Sequence, residues 1–289
     1  MNTTLIERMP SWLLRPIPDS GAGKKISAYL KKKGLESICE NSRCPNIGEC
    51  YSRGNVSFLI LGKTCTRNCL FCALGNGSPE AVRHEEAGSI AEAVRDLGIR
   101  YVVITSVTRD DLSDGGAGHY LRVTNAIKSL SPLTKIEALT PDFAGRKEAI
   151  EAVAASGIET FAHNMETIER FYSAVRPKSD YCRSLEVLAF AASLKKARIK
   201  SGFMLGLGET EKETFQLMED IRATGCDFLA IGQYLRPKDS PLRAVEYVDP
   251  NRFESLKIAA CNMGFRSVAS GPYIRSSYMA EAFYGEGVS

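Results

Sequence analysis

The sequence has no apolar run approaching the roughly 18 residues that a membrane-spanning helix needs. Its opening stretch, MNTTLIERMPSW, lacks the charged-then-apolar layout of a secretory signal. A cytoplasmic protein with no membrane partner is expected. Charge of one sign is also missing, because 37 basic residues against 34 acidic ones leave a formal net charge of only +3, which argues against a nucleic-acid partner. No G-x-G-x-x-G turn is present, which disfavours a dinucleotide-binding sheet, and no internal repeat or low-complexity tract stands out. Three histidines are too few to supply many zinc ligands. With 24 glycines and 12 prolines in 289 residues, 44% of them apolar, collagen-like and disordered chains are excluded as well. What remains is a globular chain long enough for one large domain or two modest ones.

Cysteine is what the sequence has. Of nine cysteines, six fall into two trios, C-E-N-S-R-C-P-N-I-G-E-C with Cys39, Cys44 and Cys50, and C-T-R-N-C-L-F-C with Cys65, Cys69 and Cys72. The other three, Cys182, Cys226 and Cys261, stand alone and read as small buried hydrophobes. An odd count without a secretory signal argues against a disulfide framework. Thiolates are soft ligands for zinc or iron–sulfur clusters. Zinc prefers paired C-x2-C knuckles with four ligands, and neither trio contains two such pairs. A single zinc site pooling both trios is the simpler alternative, but the spacing favours clusters. Three thiolates on a four-iron cube leave one iron open to a substrate or cofactor.

From residue 56 onward the chain alternates strand-like and helix-like segments. Strands are expected at 56–61, 101–106, 135–139, 158–163, 199–205 and 226–232, with amphipathic helices such as 89–97, 145–156, 166–173, 183–196 and 210–224. Six βα units point to an α/β fold, an incomplete (β/α)6 TIM-type barrel with N-terminal and C-terminal extensions. Three segments are expected: 1–55 as the extension carrying the first trio, with a short helix near 24–33; 56–270 as the partial barrel; and 271–289 as a tail ending in a short helix. In such barrels chemistry sits in loops after the strands, where Cys65, Cys69 and Cys72 fall.

The C-x3-C-x2-C spacing, with Phe71 before the last cysteine and its place after the first barrel strand, resembles the radical S-adenosylmethionine (SAM) superfamily. Within it the chain resembles the lipoyl synthase family. The resemblance runs along nearly the whole sequence, through both trios and through Y-V-V-I-T-S-V-T-R-D-D-L, H-N-M-E-T, V-R-P-K-S-D-Y-C-R-S-L, K-S-G-F-M-L-G-L-G-E-T, I-G-Q-Y-L and S-G-P-Y-I-R-S-S-Y. It implies that the open iron of the Cys65, Cys69, Cys72 cluster chelates the methionine part of SAM, whose reductive cleavage yields a 5′-deoxyadenosyl radical. It also implies a second, auxiliary [4Fe-4S] cluster, held by Cys39, Cys44, Cys50 and a serine of R-S-S-Y, that is consumed as the sulfur source. Ser277 is the expected ligand and Ser276 the alternative; without the family, R-S-S-Y reads as a helix N-cap.

The reaction implied is sulfur insertion at C6 and C8 of an octanoyl group amide-linked to a lysine of a carrier domain, with two SAM consumed. Such a carrier is a 2-oxoacid dehydrogenase acyltransferase subunit or the glycine-cleavage H protein. A reductant such as flavodoxin or ferredoxin and a cluster-repair carrier are further implied partners. Unactivated C–H cleavage lies outside the repertoire of acid, base and nucleophile side chains, so a cofactor must carry it.

Around SAM, the strand ends and the loops behind them suggest Thr105, Ser106, Glu137, Asn164 and Arg176. The alternatives are internal polar contacts for Glu137 and Asn164 and a surface salt bridge for Arg176. G-L-G-E-T at 206–210 reads either as backbone approaching adenosine or as a tight turn, with Thr210 and Glu213 a capping box. Lys24, Lys25, Lys31, Lys32 and Lys33 form a basic cluster, either a solvated face or a dock for an acidic carrier. The chain departs from the family pattern at Tyr51, Thr108, Met279 and 238–243. Rival readings are another radical SAM reaction, such as biotin-type insertion or methylthiolation, and a non-catalytic metal- or cluster-binding module.

Overall fold

The computed structural model describes residues 9–14, 21–238 and 240–284. The described residues form ten strands: β1 Glu36–Ser37, β2 Ser57–Ile60, β3 Thr64–Cys65, β4 Gly75–Asn76, β5 Tyr101–Ser106, β6 Lys135–Leu139, β7 Thr160–Ala162, β8 Arg198–Leu205, β9 Phe228–Gln233 and β10 Ser267–Gly271. Eight of them form one sheet in the order β1-β2-β5-β6-β7-β8-β9-β10, while β3 and β4 pair separately. Only β1 runs antiparallel to its neighbour; from β2 to β10 every pairing is parallel. The sheet curls without closing, with β1 and β10 at its two edges, as in an incomplete TIM-type barrel.

All six strands expected from the apolar runs are present. Their β-branched, nearly continuous apolar text suits strands covered on both faces. A seventh parallel strand, β10, extends the sheet beyond them. S-V-A-S-G has too little apolar bulk to announce itself, and it forms because each of its residues pairs in register with β9.

Helices cover the outside, among them Glu86–Asp96, Ala117–Leu130, Lys147–Ala154, Tyr181–Ser193, Glu211–Ala223 and Pro250–Asn262. The helix expected at 166–173 is replaced by a 3-10 turn at Glu169–Phe171 followed by a single turn at Tyr172–Val175. Glu166 has a left-handed φ of 67°. Its N–H donates to Gly202 and its carbonyl accepts from Met204, so β8 consumes the backbone groups that a helix would use. Among the described residues no helix is long and apolar enough to cross a membrane.

Alternation along the strands sends Val102 and Ile104 outward into the main hydrophobic core and Tyr101 and Val103 inward. The N-terminal segment shares that core through Ile26, Leu30, Leu35 and Tyr51. The C-terminal segment enters the barrel instead. Ala280, which opens the short helix Ala280–Tyr284, packs on Tyr101 and Val103, and Ile274 packs on Phe228 and Ala230.

Candidate metal centres

The first trio to consider hangs from the C-terminal end of β2, where Leu61 and Gly62 turn with left-handed φ of 67° and 88°. Cys65 lies on β3, and its sulfur accepts from the Arg67 N–H at 3.4 Å. The Cys72 N–H closes a turn on the Cys69 carbonyl at 3.1 Å, and Leu70 N donates to Val175 O at 2.9 Å. All three thiols are half-buried and unbridged. Burial pushes Cys72 up to about 11, and the neighbouring thiols add to it. Burial also raises Cys69, against the pull of the Arg176 charge.

The second trio belongs to the N-terminal segment. Ser37 caps a single helical turn, Ile38–Asn41, by accepting from the Cys39 N–H, and it also accepts from the Tyr51 hydroxyl at 2.9 Å. Tyr51, a departure from the family pattern, thereby braces the cap beside Cys39. Cys44 N donates to Cys39 O at 2.9 Å, and Cys50 lies in the short helix Ile47–Ser52. Burial drives Cys50 up to about 12, with the Cys39 and Cys44 thiols adding to the shift.

Cys39, Cys44 and Cys50 line one cavity together with Arg275, Ser277 and Tyr278 of the C-terminal segment and with Ser57, Tyr101 and Val103 of the barrel wall. Asn46 Nδ2 donates to Tyr273 O at 2.6 Å, and the Tyr278 hydroxyl donates to Glu49 at 3.0 Å, so the segments around residues 46–49 and 273–278 are joined around that cavity. Ser276 is turned elsewhere, its Oγ donating to Asn164 Oδ1 at 3.1 Å. Because the last helix opens at Ala280, neither serine directly precedes its first turn.

Of the side chains expected around SAM, Thr105 is buried at the end of β5 and Ser106 accepts from the Tyr120 hydroxyl at 3.0 Å. Asn164 follows β7, and its Nδ2 donates to Glu166 at 3.0 Å. Arg176 is not a surface salt bridge. Its Nη1 donates to the carbonyls of Asn164 and Met165 and to the Tyr172 hydroxyl, and its Nε has no partner inside the protein. Glu137 is fully buried, with Lys200 Nζ 3.0 Å from both of its oxygens and the Tyr101 hydroxyl donating at 3.0 Å. That placement matches an internal contact between barrel layers better than a cofactor contact.

Gly206, in G-L-G-E-T, takes φ of 101°. A Cβ there would stand 2.2 Å from Gln233 Nε2 and 2.4 Å from Glu246 O, so the chain's own packing requires this glycine. The capping box of Thr210 and Glu213 is formed. Of the solitary cysteines, Cys226 is buried as expected, whereas Cys182 and Cys261 are exposed on the outer helices Tyr181–Ser193 and Pro250–Asn262.

The donor chemistry suits iron–sulfur clusters. Two trios of soft, unbridged thiols sit in partly buried sites, where gathered negative charge is costly unless a cationic centre offsets it. Among the described residues no three His, Cys, Asp or Glu side chains stand close enough to hold a single metal ion.

Comparison with known proteins agrees with this geometry. Residues 59–221 match the Radical SAM superfamily. The chain is 46% identical over 275 residues to a lipoyl synthase of Caldicellulosiruptor saccharolyticus, covering 95% of this chain and 96% of the relative. It is also 46% identical over 272 residues to one of Rubrobacter xylanophilus, covering 94% and 85%. This chain belongs to the lipoyl synthase family of radical SAM enzymes.

Among solved structures, methylornithine synthase superposes with a TM-score of 0.57 at 14% identity, covering 88% of this chain and 78% of that one. A maturase of the [FeFe]-hydrogenase gives 0.57 at 16%, covering 88% and 66%. At such identities the likeness is one of fold. Within the segments that carry the family resemblance, the geometry adds Glu166 and Arg275 to the residues expected at the sites. Glu166 accepts from Asn164 Nδ2 at 3.0 Å, and Arg275 lines the cavity of Cys39, Cys44 and Cys50. In the sequence, Glu166 stands two residues after Asn164 and Arg275 directly before Ser276.

Proposed function

We propose that this chain converts a carrier-bound octanoyl group to a lipoyl group, with Cys65, Cys69 and Cys72 holding the SAM-binding cluster and Cys39, Cys44, Cys50 and Ser277 holding the auxiliary one. When bound, the first cluster and SAM supply the electron and the hydrogen-abstracting radical, and the auxiliary cluster supplies the two sulfur atoms. The observation that carries the assignment is the common cavity of Cys39, Cys44, Cys50 and Ser277, drawn from opposite ends of the chain. A serine oxygen is a harder donor than thiolate and a poorer match for iron in a sulfide cube, which suits a ligand that must let go when the cluster is dismantled.

The work divides among three segments: 1–55 presents the auxiliary donors, 56–270 forms the barrel, and 271–289 closes the site with Ser277. Thr105, Ser106, Asn164 and Arg176 stand at the strand ends and behind them, where SAM would be held. Arg176, with a buried guanidinium and an unused Nε, is suited to a carboxylate. Val103 and Ala280 give the cavity of Cys39, Cys44 and Cys50 an apolar stretch of wall, which suits a reaction to be shielded from water.

Lys24, Lys25, Lys31 and Lys32 are exposed on the helix Gly21–Lys33, while Lys33 pairs with Glu92 at 2.7 Å. The exposed lysines present a charged face for an acidic lipoyl carrier domain, either the acyltransferase subunit or the H protein. Flavodoxin or ferredoxin as reductant, and a carrier that rebuilds the auxiliary cluster, complete the partners.

The test is iron and acid-labile sulfide per chain after anaerobic reconstitution, in wild type and in C39A/C44A/C50A. About eight irons falling to about four is expected for two four-iron clusters. Octanoyl-lysine peptide turnover then gives a product in which two sulfurs replace two hydrogens. About four irons in wild type, or stoichiometric zinc, would overturn the sulfur-donor assignment.

A further inference from the structure

Cys65, Cys69 and Cys72 hang on a stretch with almost no backbone ladder of its own, since β3 and β4 contribute two residues each. A site built on such a loop needs its geometry imposed by surrounding side chains, because metal centres tolerate only small errors in donor position. Arg67 lies inside the C-x3-C spacing, and its side chain is 4% exposed. Its Nε donates to Asp110 Oδ2 and its Nη2 to Asp110 Oδ1, both at 2.8 Å. Its Nη1 donates to Asp142 Oδ2 at 2.9 Å and its Nη2 to Asp142 Oδ1 at 2.8 Å. The second Nη1 hydrogen reaches Ser179 Oγ at 3.2 Å. All five N–H donors of the guanidinium are therefore engaged.

These partners lie on three different loops at the same end of the barrel. Asp110 follows β5, Asp142 follows β6, and Ser179 precedes the helix Tyr181–Ser193. Neighbouring bonds reinforce the grip. Thr66 donates through N and Oγ1 to the Thr108 carbonyl at 3.1 and 3.0 Å, and Asp110 N donates back to Thr66 Oγ1 at 3.1 Å. Lys178 Nζ donates to Thr66 O at 3.2 Å, and Arg109 Nη1 donates to Leu61 O at 3.3 Å, where the loop leaves β2. Thr108 contributes only its carbonyl, so its departure from the family pattern leaves the clasp intact.

We propose that Arg67 is a positioning residue which, gripped by Asp110 and Asp142, sets the spread of the Cys65, Cys69 and Cys72 thiols for their cluster. The proposal rests on the assignment of those thiols to the SAM-binding cluster. Arginine is required by the geometry, because a planar fork meets two carboxylates edge-on at once and a lysine ammonium does not.

The test compares the full chain as wild type, R67M, R67K, D110N and C65A after anaerobic reconstitution. The readouts are iron and sulfide retained through desalting and the EPR spectrum of the reduced protein with and without SAM. R67M is expected to fall from about eight irons toward about four, as C65A does, since supporting residues of metal sites change affinity by about ten- to a hundredfold. R67K and D110N are expected between R67M and wild type, with a diminished SAM-induced change in the spectrum. A folded R67M that keeps all its iron and matches the wild-type spectrum and SAM response would overturn the proposal and leave Arg67 a brace. If R67M does not fold, D110N, which keeps the Asp142 half of the grip, is judged by the same criterion. A wild type without a SAM response and a C65A that loses no iron would instead sink the assignment of the thiols, and the clamp with it.

Discussion

Ser276 and Ser277 are adjacent in the chain but serve different places: Ser276 Oγ donates to Asn164 Oδ1 at 3.1 Å, while Ser277 faces the cavity of Cys39, Cys44 and Cys50. Through Asn164, whose carbonyl accepts from Arg176 and whose amide donates to Glu166, the tail beside one trio is joined to the loop beside the other. S277A is expected to retain about four irons of about eight and to form no lipoyl product. S276A is expected to keep both clusters and to bind SAM more weakly, as measured by equilibrium titration. The reverse pattern of iron loss would show that the two serines had been interchanged.

Gly232 on β9 makes room for the tail. A Cβ there would stand 2.2 Å from the carbonyl oxygen of Ile274, a backbone atom that has no rotamer to yield. G232A is expected to dislodge the segment carrying Ser277 and to reduce auxiliary iron, while the SAM-induced EPR change of the other cluster persists. Full iron retention with unchanged product formation would show that the tail has slack there.

The buried pair of Lys200 and Glu137, both 0% exposed, sits inside the barrel with Tyr101. Removing one partner strands the other charge. K200M is expected to destabilise the fold by about 3–5 kcal/mol in a denaturant titration. The double variant K200M/E137L recovers most of that loss if the pair is structural. A K200M within about 0.5 kcal/mol of wild type, the range of ordinary surface substitutions, would contradict this.

His163 is fully enclosed; burial first, and then the Arg176 charge with Arg67 behind it, lower its pKa to about 4, against the contrary influence of Asp142 and the Thr140 carbonyl. Unfolded, it titrates near 6.5. Between those values the unfolded chain binds the extra proton, so stability present above about pH 6.5 is lost as the pH falls toward 4. The loss amounts to at most about 3 kcal/mol. H163Q, compared with wild type at pH 7 and pH 5, is expected to remove that part of the slope in the denaturation midpoint. Equal slopes in the two proteins would exclude His163 as its source.

Much of this protein was determined by local sequence. Thiol spacing is a statement about neighbours in the chain, and apolar runs of strand length with helical text between them dictate a parallel sheet with covered faces, whatever the rest of the chain does. The helix N-terminus at Thr210 was legible for the same reason, since a capping box closes within four residues. Tertiary structure decided everything that depended on which distant groups meet. Ser277 rather than Ser276 lines the cavity of the N-terminal thiols, where the tail enters the barrel over Gly232. Glu137 is taken up by Lys200 from β8, and Arg176 by carbonyls of its own barrel end, so residue type and strand-end position could not state their roles. β10 and the broken helix after Glu166 escaped for a related reason: small residues and a left-handed backbone carry no periodic signal. Their conformations are imposed by hydrogen-bond partners on β9 and β8, which only the assembled sheet brings alongside.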